Sequence, residues 1–87
     1  PGDGPVLQAY LRLDAALGGQ AREPEQTQRV VAPHLETAGC SRAELAAALD
    51  CLERECYAIV SPAPAEVAMA VDVFDRLRAS LNGMVVH

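Results

Sequence analysis

Apolar positions along this chain recur every three or four residues, and the polar stretches between them are short. From Pro5 to Leu17, the residues Val6, Tyr10, Leu13 and Leu17 fall on one side of a helix, with Leu7 and Leu11 widening the stripe. Pro5 suits the first turn, where its missing amide hydrogen costs nothing, and Gly18-Gly19 stops the segment. A second helix is expected from Pro24, with Glu25 facing its positive end and Val30, Val31, Leu35 and Ala38 turned inward. Pro33 lies inside that stretch. It removes a backbone donor and crowds the carbonyl four residues back, so the second helix is predicted to be short or irregular and to end at Gly39.

Ser41-Arg42-Ala43-Glu44 has the form of a capping box, which fixes the start of a third helix. Its apolar stripe is Leu45, Leu49, Leu52 and Cys56, at intervals of 4, 3 and 4, and the helix is predicted to run to about Tyr57. Ala58-Ile59-Val60 leaves it, and the prolines of Ser61-Pro62-Ala63-Pro64 forbid helical geometry just upstream. The fourth helix is expected from Pro62 or Pro64 to Asn82-Gly83, with Val67, Ala70, Val71, Phe74, Leu77 and Leu81 on its inner face. The fold class that follows is all-α, a compact four-helix bundle-like domain with an irregular second helix. Residues 1–5 read as a linker, 6–83 as a single helical domain and 84–87 as an apolar C-terminal tail.

Composition narrows this picture. An 87-residue chain that is 51 % hydrophobic and 22 % charged is a globular domain and not a disordered segment. One Phe, two Tyr and no Trp leave packing to Leu, Val and Ala, which suits closely approaching helices. So small a core has a narrow stability margin unless something else covers it. The net charge of −5 disfavours phosphate, so neither nucleic acid nor anionic lipid is an expected partner. No apolar run reaches the roughly 20 residues that span a bilayer.

Candidate chemistry is sparse. Cys40, Cys51 and Cys56 are odd in number and form no Cys-x-x-Cys, which fits reduced, mostly buried thiols in a cytosolic setting. Cys51 and Cys56 stand about 140° apart around their helix and cannot act as a pair. His34 and Cys40 flank the junction of helices two and three, yet a Cys-His nucleophile also needs an orienting group and an oxyanion donor. Asp50, Glu53 and Glu55 read as a solvated helix face. Phosphate loops, nucleophile elbows and zinc-protease motifs are absent from the sequence. The expectation is therefore a non-enzymatic domain with no catalytic, cofactor-binding or metal residues. Its partner is expected to be another protein or a second copy, with Arg22, Arg54 and Tyr57 as exposed contact residues.

One hexapeptide, Arg22-Glu23-Pro24-Glu25-Gln26-Thr27, interrupts the apolar pattern. It reads as a structural turn: Pro24 starts helix two, Glu25 complements its dipole, Thr27 satisfies a nearby amide or carbonyl, and Arg22 reaches a carboxylate on another helix.

The order "AYLRLDAAL", "REPEQT", "SRAELAAALDCLERECY" and "SPAPAEVAMAVDVFDRLRASL" over residues 9–81 resembles the uncharacterised C-terminal domain of bacterial membrane proteins, including those with a TgpA-type transglutaminase-like domain. Each motif is weak alone, and their order and spacing carry the likeness. The resemblance implies a cytosolic appendage at the inner face of the cell membrane, tethered only through its parent chain, and it brings no enzymatic residues. Two other readings fit parts of the sequence. A death-fold-like adaptor that assembles signalling or defence complexes matches in size and requires six helices. A winged-helix DNA-binding domain matches the rhythm of residues 30–61 and requires a two-stranded wing near 57–65, but its recognition helix would carry Glu44, Asp50, Glu53 and Glu55 against Arg42 and Arg54.

Overall fold

A computed structural model describes residues 4–19, 23–57, 60 and 62–85. Its helices are α1 (Pro5–Ala16), α2 (Pro24–Val31), α3 (Leu35–Ala38), α4 (Arg42–Tyr57) and α5 (Pro64–Val85), with a turn of 3-10 helix, Ala32–His34, between α2 and α3. No strand occurs among the described residues. The architecture is the expected all-α one of four helical segments, the second of them broken. Pro33 sits in the 3-10 turn, where it needs no α-type donor, and its place there accounts for the break.

Local chemistry sets most of the ends. The Ser41 hydroxyl accepts from the Glu44 amide at 3.1 Å while the Glu44 carboxylate accepts from the Ser41 amide at 3.0 Å, the reciprocal cap expected for α4. Gly39, at φ 73°, closes α3 in the left-handed conformation, and the Cys40 amide then donates to the Leu35 carbonyl at 2.9 Å. At the start of α2, the Glu23 amide donates to Gln26 Oε1 at 3.2 Å. The fourth segment departs from expectation, because Gly83 lies inside α5, which continues to Val85 and takes in the first half of the supposed tail. A glycine within a helix costs about 1 kcal/mol and does not by itself end it.

Contacts at the helix ends fix the topology. Glu55, near the end of α4, meets the start of α1, and Arg54 beside it meets Glu66 at the start of α5. Further along, Arg12 of α1 pairs with Asp75 of α5 at 3.1 Å. Helices α1 and α5 are therefore parallel, and α4 runs antiparallel to both. Phe74, Leu13, Leu45, Leu77 and Val73 fill the centre, and the Tyr10 ring meets Phe74 edge-on at 5.6 Å. On α4 the fully buried Ala48 and Cys51 lie between Glu44 and Arg54, both of which reach α5. Their small side chains let those two helices approach closely.

Two expected apolar faces need correcting. Leu11 is 44 % exposed and Val30 39 % exposed, so neither belongs to the core. On α2 the buried positions are instead Thr27 and Val31, four apart. The apolar count of that helix hides this, because one of its two fully buried side chains is polar.

Candidate functional site: the groove between α1, α2 and α4

The α2 to α3 segment leaves one side of α4 uncovered. Ala46, Leu49, Asp50, Glu53, Cys56 and Tyr57 recur along α4 at helical spacing and line a groove of about 680 Å³, with Leu7 and Tyr10 from α1 and Glu25 and Gln28 from α2. From Ala46 to Tyr57 it runs about 16 Å along α4, at about 1.5 Å per residue. Leu7, Leu49, Leu52 and Cys56 form an apolar floor, and Glu23, Glu25, Asp50 and Glu53 stand around it. None of the described lining residues is basic.

Beneath this groove, Tyr10 and the fully buried Thr27 share a hydroxyl hydrogen bond of 2.8 Å that fastens α2 to α1. Thr27 was expected to satisfy a nearby amide or carbonyl; its partner is instead a hydroxyl on another helix. At the other end, Glu55 accepts from the Leu7 amide at 2.9 Å and more loosely from the Val6 amide at 3.4 Å. That carboxylate caps a helix that has no side-chain cap of its own and stands at its positive end. Glu55 therefore leaves the solvated face to which the sequence assigned it, whereas Glu53 and Asp50 remain exposed. Its distance of 48 residues from Leu7 explains why no local motif reveals the cap.

The three expected contact residues have different fates. Arg22 lies outside the described residues. Arg54 lies between Asp50, at 3.0 Å, and Glu66 of α5, so its guanidinium is committed within the domain. The Glu66 hydrogen bond above all raises its pKa. Tyr57 is 85 % exposed at the end of the groove. Sequence reasoning missed Ala46 and the groove itself, although Leu7 and the Leu49, Leu52 and Cys56 stripe that form the floor were visible as apolar positions.

The three thiols sit where burial works against the thiolate. Burial raises the pKa of Cys40, only partly offset by Arg76, and it also raises those of Cys51 and Cys56. Cys40 Sγ donates to the Ala38 carbonyl at 3.8 Å, a weak contact that turns it towards its own backbone turn. Among the described residues no group of three or more His, Cys, Asp or Glu side chains is placed to hold a metal ion, and no helix is long and apolar enough to cross a membrane. Compared with known proteins, the chain matches no family model, no curated protein and no solved structure.

Proposed function

We propose that this chain is a non-catalytic helical protein-interaction domain that engages its partner through the groove between α1, α2 and α4. The observation that carries this reading is the groove itself, floored by half-buried Leu7 and Cys56 over buried Leu49 and Leu52, with Tyr57 almost fully exposed at its end. An uncovered apolar channel flanked by polar residues is the usual form of a protein-docking surface. The raised thiol pKa values support the non-catalytic part of the reading, since a nucleophilic cysteine needs the opposite shift. The sequence resemblance adds a setting: a cytosolic C-terminal appendage of a bacterial membrane protein, held near the membrane by its parent chain. Four helical segments give no support to a six-helix death fold, and commitment of Arg54 to Asp50 and Glu66 leaves the would-be recognition helix of a winged-helix domain poorer in free cations.

The test is a photo-crosslinking residue placed at Ala46, at Glu53 and at the exposed Ala79 of α5, each in the full-length parent chain in its own cells. Discrete protein adducts from Ala46 and Glu53 but not from Ala79 are expected. Adducts from Ala79 alone, or from none of the three in a folded chain, overturn the proposal.

A further inference from the structure

The charge on the groove lining itself is one-sided, although Arg29 and Arg42 adjoin Glu25 and Gln28 outside it, and that charge selects the occupant. Four carboxylates, Glu23, Glu25, Asp50 and Glu53, border an apolar floor, and no described residue of the lining is basic. Asp50 is partly neutralised by Arg54. Glu25 and Glu53 are exposed and form no ion pair among the described residues. Among the described residues the other ion pairs, Arg12 with Asp75, Arg54 with Glu66, and Arg76 with Asp72 and Glu44, involve none of these carboxylates. An acidic channel inside a chain of net charge −5 repels an acidic helix and attracts a basic one.

Length and shape agree with a helix as the guest. The channel follows about three turns of α4, and its floor residues Leu7, Leu49, Leu52 and Cys56 come from two helices that flank a shallow trough. A guest helix with apolar anchors at i, i+3, i+4 and i+7 lays that face on such a floor and leaves its neighbouring positions beside the walls. Lysine or arginine at those neighbouring positions would meet Glu25 on the α2 side and Glu53 on the α4 side. Building on the interaction reading above, we infer that the groove binds a basic amphipathic helix of another protein, its apolar face on the leucine floor and its cations between the α2 and α4 carboxylates.

The probes are synthetic amphipathic peptides about four turns long with one constant leucine face and a polar face of lysine, glutamine or glutamate, together with a lysine peptide of scrambled order. Titration into the intact domain, followed by amide chemical shifts, should show saturable binding of the ordered lysine peptide that shifts Leu7, Leu49, Glu53 and Tyr57. Neutralising the walls with Glu25→Gln and Glu53→Gln together should weaken it about tenfold and flatten its salt dependence. Ala46→Arg, an exposed site on the groove wall, should abolish it while leaving the helical spectrum and melting temperature unchanged.

Other outcomes sink the inference in distinguishable ways. If the glutamine or glutamate peptide binds as tightly and Ala46→Arg still blocks it, the basic guest is wrong and the docking groove survives. If the scrambled lysine peptide matches the ordered one, attraction is unspecific charge and the helical guest is wrong. If the domain dimerises and Ala46→Arg makes it monomeric while no peptide competes, a second copy is the occupant. If no peptide binds and crosslinks from Ala46 and Glu53 also fail, both the inference and the docking reading fall.

Discussion

Thr27 is the residue whose role depends most on another helix. Its hydroxyl is fully buried and meets Tyr10 at 2.8 Å, so deleting the tyrosine hydroxyl takes that partner from a group held away from water. Tyr10→Phe should cost about 1 to 2 kcal/mol, read from urea unfolding, because the Thr27 oxygen then lacks that partner. Adding Thr27→Val to Tyr10→Phe should recover part of that loss, since the Thr27 site then buries no polar group. Strict additivity of the two changes would show that the hydroxyls do not act as a pair. Glu55 has a similar long-range role, and Glu55→Ala should lower stability by about 1 kcal/mol by leaving the first amides of α1 without their carboxylate. Hydrogen exchange would localise the effect to faster exchange at Leu7, while an unchanged rate there would count against the cap. A side chain at Gly4 would collide with the same carboxylate, so the bare backbone at that position is part of the arrangement.

At the scale of helices, what the sequence makes legible is what depends on near neighbours. The Ser41 and Glu44 cap, the Pro33 break and the Gly39 stop all act within four residues, and each appears where expected. Faces that depend on distant partners are less legible. Val30 is as apolar as Val31 yet points outward, and α4 fully buries Ala48 and Cys51 while part of its larger leucine stripe floors a groove. Hydrophobicity ranks side chains by size and polarity, and it cannot say which side the neighbouring helix occupies. Arg76 illustrates the same limit, since it joins the turn before α4 to α5. Its Nη1 donates to the Gly39 carbonyl at 3.1 Å, its Nε donates to Asp72 at 2.8 Å, and its Nη2 stands 3.7 Å from Glu44. Arg76→Ala should therefore speed amide exchange at residues 39–44 more than in the middle of α4, with a small global loss because these contacts are solvent-exposed. Uniform acceleration throughout α4 would show that Arg76 holds no local turn.

For the molecule as a whole, the described ion pairs lie at the surface, whereas Cys40 and Cys51 are buried and Cys56 half-buried, so alkaline pH tests the core. Burial raises the pKa of Cys40, Cys51 and Cys56 above that of an ordinary thiol. The folded chain thus holds its thiol protons more tightly than the unfolded chain. Stability from this source is complete below the unfolded thiol pKa and falls as pH rises through the higher folded values, because the unfolded state releases its protons first. Melting temperature should be flat on this account between about pH 6 and pH 8 and should decline from about pH 9 upward. Cys51, fully buried and free of disulfide, is the residue to change. Cys51→Ala lowers stability at neutral pH by opening a small cavity against α5, but it should also make the alkaline decline shallower. A variant with an undiminished alkaline slope would place the lost protons elsewhere, and the Cys51 thiol would then be only a packing group.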